Sequence, residues 1–489
     1  MKLKYLHALC TILFGTAVLL FFGLAYPHHL HYQEQFQLFL FDGTYVWDIV
    51  RHPGGVADLL GRFSTQFFLY AWVGALIIAL LLSAVQLLTL RLFNGQRSKA
   101  EGQRLFGLSF VPPFLLWLFL LDENALMGGV WAVLLTQLAL WLFVKLPGGW
   151  GRCIVILVTL PILYWMVGPS WYGTHYHRYP TTVPVLLYAA WLSTILLPLL
   201  VRILVVRVLH RPTVEGRRSK VEGRGSKVKS QKSKVEGRRS IFNFLPFLLV
   251  ALIMGSLVWK NANFKAEKIM QYDFMARHQQ WNRILEVVNK EKPNNQIGVT
   301  VQNLALAMHG MLPEHMFEYN QNGIAGLLPD VQSDATSPMP TAEAFYQLGM
   351  INVAQRTVFE AQEAILDFQK SGRCYRRLAQ TNLINGDYEV ARKYLTALQK
   401  TLFYRGWADE TLQLLGDEEA IARHPEYGRL RRWAYREDFY FSDHVTPEML
   451  RSLYLGCTDN HMAYQYLLAY YMLTGDREGF AEFQNLIMK

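Results

Sequence analysis

The sequence predicts an all-α protein in which a transmembrane helical bundle is followed by a soluble helical domain. Of its 489 residues, 52% are hydrophobic and 18% are charged, which is too apolar for an ordinary soluble protein and too charged for a chain buried throughout in lipid. Long apolar runs recur in the first half, and amphipathic helical patterns occupy the second half. A chain of two unlike parts explains both observations.

Seven apolar runs predict about seven transmembrane helices, because each can cross most or all of a hydrocarbon core about 30 Å thick. The runs lie near residues 5–26, 66–90, 105–121, 125–144, 153–168, 183–206 and 241–259. We therefore divide the chain into a six-span transmembrane domain (1–210), a linker (211–240), a seventh span (241–259) and a soluble domain (260–489).

The positions of Lys and Arg predict the orientation of these spans. A cytoplasmic N-terminus places 21 Lys and Arg residues of the membrane half inside and only Arg51, Arg62 and Arg178 outside. We expect a multi-pass protein of the inner (plasma) membrane whose C-terminal domain is extracytoplasmic, in the periplasm. The first span, which ends in Gly23-Leu24-Ala25, could instead be a cleaved signal peptide, and the later topology would be the same.

The basic charge of the chain is concentrated in the linker. Residues 211–240 carry a net charge of +8 out of the total of +10, in four heptapeptide units that begin at Val214 and read VEGRRSK, VEGRGSK, VKSQKSK and VEGRRSI. One apolar residue per unit predicts a disordered cytoplasmic segment that can contact anionic lipid headgroups of the bilayer. Residues 260–489 have a net charge of −4, so nucleic acid is not an expected partner.

The four cysteines do not have the spacing of a zinc site. Cys10 and Cys153 lie in apolar runs, and Cys374 and Cys457 lie in the soluble domain. The last two could form a disulfide in an oxidising compartment or remain as buried thiols, and the sequence does not decide between these states.

Titratable and aromatic residues gather in the loops that this topology places outside. The first outer loop, residues 27–65, contains the acids Glu34, Asp42 and Asp48, which are the catalytic candidates. The substrate-binding candidates in the outer loops are His31, Arg51, Trp171, Tyr172, His175, His177 and Arg178. Together they could bind a polar headgroup, with a divalent metal in that case, or form an ordinary interfacial belt with no cofactor.

The layout resembles membrane glycosyltransferases that use lipid-linked sugars, which have an acid in the first outer loop, several spans and a C-terminal outer domain. The resemblance covers the membrane half and implies that Glu34, Asp42 or Asp48 supplies the catalytic or metal-binding carboxylate. The pair of acids separated by one residue that such enzymes carry is absent here. Under this alternative the protein is a glycosyl- or headgroup transferase acting at the outer leaflet.

The segment RCYRRLAQTNLINGDYEVARKYLTALQK resembles a tetratricopeptide repeat. The matching residues are Tyr375, Leu378 and Ala379 in the first helix, Gly386, Asp387 and Tyr388 at the turn, and Ala391 and Leu395 in the second helix. A second match includes Tyr464, Leu467, Tyr471, Gly475 and Asp476. The resemblance implies helical hairpins that present a concave surface to a protein partner.

The whole arrangement resembles uncharacterised multispan membrane proteins of Gram-negative bacteria that carry a repeat-like C-terminal helical domain. That resemblance implies the architecture and no reaction. We expect a non-enzymatic envelope protein whose residues 260–489 bind a protein partner, with the transferase as the alternative.

Overall fold

The computed structural model describes residues 3–94, 106–146, 150–168, 183–209, 247–330, 338–365, 369–435 and 446–488, and it is all-α. Within these ranges there is no β-strand, and the bridge between Asn322 and Ile324 is isolated. The chain forms two compact units. Unit 1 comprises Met1–Gln33 and Thr44–Asn263, and unit 2 comprises Glu34–Gly43 and Phe264–Lys489. The predicted linker, residues 211–240, lies outside the described residues.

Unit 1 is built from apolar helices and shorter amphipathic ones. Its described α-helices are α1 (Leu3–Leu20), α2 (Pro27–Gln33), α3 (Gly43–Val50), α4 (Gly55–Thr65), α5 (Ala71–Asn94), α6 (Val111–Phe119), α7 (Met127–Lys145), α8 (Trp150–Val167), α9 (Val183–Leu209) and α10 (Phe247–Asn261). A π-helical turn, Phe21–Ala25, extends α1, and 3₁₀ turns follow α4 at Gln66–Leu69 and precede α6 at Phe106–Phe110.

Three helices of the described part of unit 1 are long and apolar enough to cross a membrane. They cover His7–Ala25, Ala71–Phe93 and Met127–Lys145, and α10 with the helix after it gives a fourth candidate if the two are counted as one broken span. Three other predicted spans correspond to shorter apolar helices, Phe106–Phe119, Ile156–Val167 and Val185–Leu200. Apolar helices therefore lie at all seven predicted positions, and length and composition make three of them candidate spans on their own.

Neutral hydrogen bonds join the apolar helices of unit 1. Thr11 on α1 and Gln86 on α5 are linked at 3.0 Å, and Gln86 also donates to Ser109 at 2.8 Å. On α7, Gln137 donates to Thr89 of α5 at 2.8 Å. Gln86, Ser109, Gln137 and Thr89 are fully buried, so these bonds satisfy polar groups that have no access to solvent.

Unit 2 consists of helices joined by short turns. Its described α-helices are α11 (Phe264–Arg277), α12 (Trp281–Glu291), α13 (Gln296–Met308), α14 (Leu312–His315), α15 (Pro338–Leu348), α16 (Ile351–Ala364), α17 (Gly372–Asn385), α18 (Tyr388–Gln399), α19 (Arg405–Leu412), α20 (Glu418–Arg423), α21 (Tyr427–Trp433), α22 (Thr446–Gly456), α23 (His461–Thr474) and α24 (Arg477–Ile487). The 3₁₀ turns are Glu34–Phe36 and Met316–Glu318.

Consecutive helices of unit 2 pack as hairpins around a common core. Phe345, Leu383, Tyr466 and Phe483, which come from four different helices, belong to one cluster of buried side chains. The small residue Ala379 on α17 is fully buried, which lets neighbouring helices approach closely. The helices and the glycine turn predicted between residues 373 and 400 are therefore present.

Candidate functional site

A groove of about 910 Å³ lies in unit 2, where the turns of hairpins α15–α16 and α17–α18 face α21 and α22. Its floor is apolar and consists of residues that are almost fully buried, among them Met350, Ile351, Ile384, Met449 and Leu453. Its rim is polar and includes Asn352, Arg356, Asn385, Tyr388 and Arg431. An apolar floor below a polar rim suits a ligand that has both apolar side chains and hydrogen-bonding groups.

Two glycines shape the groove because the chain turns there with positive φ angles. Gly349 ends α15 with φ +88°, and Gly386 ends α17 with φ +90°, a conformation that residues with a Cβ adopt at a cost. A Cβ at Gly349 would also lie 2.9 Å from the Cβ of Trp433. Glycine therefore allows both hairpins to turn at the positions where they line the groove.

Arg431 organises one side of the groove. Its guanidinium donates to the carbonyl oxygens of Ile384 at 3.1 Å and Leu383 at 3.3 Å, which belong to the C-terminal turn of α17. It also donates to the hydroxyl of Tyr388 at 2.7 Å and forms an ion pair with Glu418. Arg431 thus donates to carbonyl groups in the last turn of α17, where the Leu383 carbonyl also accepts from the Gly386 amide, and Glu418 balances its charge.

The rim of the groove also carries amide groups and a second arginine. The Asn385 amide donates to Asn352 at 2.8 Å, so the two asparagines connect the α16 and α17 sides of the rim. Arg356, one turn after Asn352 on α16, is exposed. Amide and guanidinium groups bind backbone carbonyls and carboxylates, the polar groups of a peptide.

The three acids predicted as catalytic candidates have different surroundings. Glu34 is buried in unit 2, where it accepts a hydrogen bond from the Tyr404 hydroxyl at 2.8 Å and lies 3.8 Å from the Arg277 guanidinium. Burial raises the pKa of the Glu34 carboxyl above its ordinary value, although Arg277 and Tyr404 act in the opposite direction. Asp42, also in unit 2, forms an ion pair with Lys400 at 2.6 Å.

Asp48 lies on α3 of unit 1 and pairs with the neighbouring Arg51 at 3.3 Å, with both side chains more than half exposed. His31 lies on α2 with its ring centroid 5.9 Å from that of His28. The candidates Trp171, Tyr172, His175, His177 and Arg178 lie outside the described residues. Within the described ranges no group of three or more His, Cys, Asp or Glu side chains could hold a metal ion.

Cys374 and Cys457 are both free thiols in the structure. Cys374 is buried, and burial raises the pKa of its thiol to about 11. Cys457 is half-buried.

The groove residues Asn352, Arg356, Asn385 and Arg431 were not among the candidates chosen from the sequence. A signal for them exists, since Asn352 and Asn385 flank the glycine turns at Gly349 and Gly386. The candidates predicted from the sequence are acids, histidines, arginines and aromatic residues, and amides at hairpin turns are not among them.

The family model described as "Family of unknown function (DUF6057)" matches residues 2–172 and 170–489. The chain therefore belongs to this family. Neither a curated protein nor a solved structure matches it.

Proposed function

We propose that this member of the DUF6057 family is a multi-pass membrane protein that displays its C-terminal helical domain outside the cytoplasm to bind a protein partner. The groove between the hairpin turns is the observation that carries the proposal. The proposed binding site consists of the apolar floor around Ile384 and the polar rim formed by Asn352, Arg356 and Asn385.

The hairpins support the interpretation that unit 2 is built from tetratricopeptide-like repeats. Helix α17 ends at Gly386 with a left-handed turn, and α18 begins two residues later at Tyr388, as the repeat requires. Ala379 and Ala391 are fully buried at the positions where the repeat needs small residues. Helical repeats of this type bind partners through the surfaces that their stacked hairpins create.

Unit 2 also accommodates a separate segment of chain, because residues 34–43 of the same protein lie against its helices. After the 3₁₀ turn at Glu34–Phe36, this segment contributes Leu38 to a cluster with Leu395, Leu398 and Tyr404. A scaffold that binds one such segment through apolar side chains and backbone hydrogen bonds is suited to bind a second in its groove.

The distribution of basic residues supports the proposed membrane arrangement of seven spans with a cytoplasmic N-terminus and a periplasmic C-terminal domain. It leaves only Arg51, Arg62 and Arg178 outside among the basic residues of the membrane half. A periplasmic reporter fused after Lys489 is expected to be active, and the same reporter inserted near Lys227 is expected to be inactive. The reverse pattern would contradict the orientation.

Transfer of a sugar or headgroup has less support, because each acid named for it already has a partner within the protein. Glu34 is engaged by Tyr404, Asp42 by Lys400, and Asp48 by Arg51. A catalytic carboxylate in such an enzyme has to reach the substrate or its metal ion.

Photo-crosslinking in living cells tests the groove. A photoreactive amino acid at position 385 of the full-length chain should capture a specific protein. Arg356→Glu on the rim should abolish the adduct, whereas Arg283→Glu, which also reverses an exposed arginine on a helix of unit 2, should leave it intact. Loss of the adduct in both variants, or in neither, would count against the groove as the binding site.

A further inference from the structure

Residues 34–43, here called the strap, are separated from the rest of unit 2 by more than two hundred residues of sequence but belong to its fold. Two backbone hydrogen bonds fix the strap, from the Leu38 amide to the Lys370 carbonyl at 2.8 Å and from the Phe41 amide to the Lys400 carbonyl at 2.7 Å. Lys370 lies just before α17 begins, and Lys400 is the residue at which α18 ends. The strap is therefore held at two points along its length.

Side chains of the strap continue this attachment into the interior of unit 2. Leu38 is 7% exposed and packs in a cluster with Leu398, Tyr404 and Ala408, and Leu40 packs against the same cluster. Burial of these side chains removes apolar surface from water, which is the main source of stability for such a contact.

Charged and polar groups at both ends of the strap add to the attachment. At the first end, Gln35 accepts a hydrogen bond from Arg373 at 3.0 Å, and Arg373 also forms a two-point ion pair with Asp273 on α11. At the other end, Asp42 pairs with Lys400 at 2.6 Å. The strap thus gives the buried Arg373 guanidinium a further acceptor, and its pair with Lys400 adds an attachment at the surface.

We propose that the strap is an integral part of the C-terminal domain, so that residues 34–43 and 264–489 fold together on the same side of the membrane. A segment that hydrogen-bonds to helices of a folded domain cannot be separated from it by a bilayer. The chain between Gly43 and Phe264 therefore crosses the membrane an even number of times.

The requirement for an even number of crossings limits which apolar helices between Gly43 and Phe264 can span the membrane. Two helices in this interval, Ala71–Phe93 and Met127–Lys145, are long and apolar enough to cross by themselves and give an even number, whereas a third crossing by Phe247–Asn261, which qualifies only together with the helix after it, would make the number odd. If all three cross, then one or all three of the shorter apolar helices, Phe106–Phe119, Ile156–Val167 and Val185–Leu200, must cross as well. The six runs predicted from the sequence in this interval satisfy the rule.

Carbodiimide crosslinking of the full-length protein in its native membrane tests the strap directly, because this zero-length reagent joins a carboxylate to an amine in contact. The expected product links Asp42 to Lys400 and is identified by mass spectrometry after proteolysis. Asp42→Asn removes the carboxylate and Lys400→Arg keeps the charge but removes the amine, so each variant should lose this product. The pair Lys268–Glu291, 3.2 Å apart and away from the strap, is the internal positive control.

A wild-type sample that yields the Lys268–Glu291 product but no Asp42–Lys400 product would overturn the proposal.

The second measurement determines the side of the membrane on which the strap and the C-terminal domain lie. Phe41→Cys and Phe317→Cys, which replace side chains that are 54% and 59% exposed, should react with a membrane-impermeant maleimide from the same side in a background without native cysteines. Reaction from opposite sides would also overturn it. Neither measurement depends on whether the groove binds a partner.

Discussion

The two units satisfy their buried polar groups in different ways. In unit 1, the bonds between apolar helices are neutral, as in Gln137 with Thr89. In unit 2, buried arginines are paired with acids, as in Arg373 with Asp273 and Arg377 with Glu343. The described part of unit 1 also has ion pairs, Asp48 with Arg51 and Asp58 with Arg62, but they lie on α3 and α4, outside the three apolar spans.

The difference follows from the solvent in which each unit is proposed to fold. A charge inside a lipid-embedded helix is expensive, so neutral amides and hydroxyls connect helices there at a modest gain. A helical domain in water can bury an ion pair when further hydrogen bonds satisfy its polar atoms. The stability of the domain then depends strongly on the presence of both partners. The contrast predicts that removing a polar partner has very different consequences in the two units.

The largest effect is expected at the Arg373–Asp273 pair. Arg373→Met leaves Asp273 buried without its cation and should lower the free energy of unfolding of unit 2 by about 3–5 kcal/mol. Urea unfolding of the detergent-solubilised full chain measures this loss. The double variant Arg373→Met with Asp273→Leu should recover a large part of it because neither charge of the pair is then left without its partner. A double variant no more stable than the single one would show that the buried charge is not the cause.

A smaller effect is expected in the strap. Leu38→Ala should cost about 2–3 kcal/mol, the lower part of the range for a buried leucine, because a peripheral segment can partly close the space. Phe41→Ala is the matched control, since Phe41 is 54% exposed, and it should change stability by at most about 0.5 kcal/mol. The same urea unfolding compares the two. Equal losses would mean that the buried position of Leu38 contributes nothing to the attachment.

The sequence predicted the helices and turns within a hairpin well, but it did not predict contacts between residues that are far apart in the chain. The glycine turn at Gly386 and the helices on both sides follow from residues within one hairpin, so periodicity was sufficient to find them. The sequence predicts the strap only as part of an outer loop, because nothing in EQFQLFLFDG indicates that its partners are Lys370 and Lys400. The predicted soluble domain accordingly began at residue 260 and did not include residues 34–43.

The same limit applies to the candidate site residues. Glu34 was selected because it is an acid soon after the first span, and its chemistry alone cannot show that Tyr404 and Arg277 surround it. Partners more than two hundred residues away determine whether a carboxylate faces substrate or interior. The groove was missed for a related reason, since its lining comes from helices that are distant in the sequence.

The third prediction concerns the pH dependence of the strap. Burial raises the pKa of Glu34, so its contribution to stability is fully present below the ordinary carboxyl pKa and is lost as the pH rises through the raised pKa. Glu34→Gln removes this titration and should gain stability relative to wild type as the pH increases. Unfolding midpoints of both proteins at acidic and neutral pH measure the difference. A difference between the two proteins that does not change with pH would contradict the assignment.

The smallest effect is expected at the neutral bond of unit 1. Gln137→Leu removes the hydrogen bond to Thr89 but fills the same buried space, and bonds of this kind in membrane helices contribute about 0.6 kcal/mol on average. Unfolding of unit 1 by titration with sodium dodecyl sulfate should therefore change little. Gln137→Glu, which has nearly the same shape but introduces a charge, should be much more damaging because α7 would have to bury it. If Gln137→Leu instead destabilised unit 1 as much as Arg373→Met destabilises unit 2, the two units would not differ in how they depend on their polar partners, and a lipid environment for α5 and α7 would lose this support.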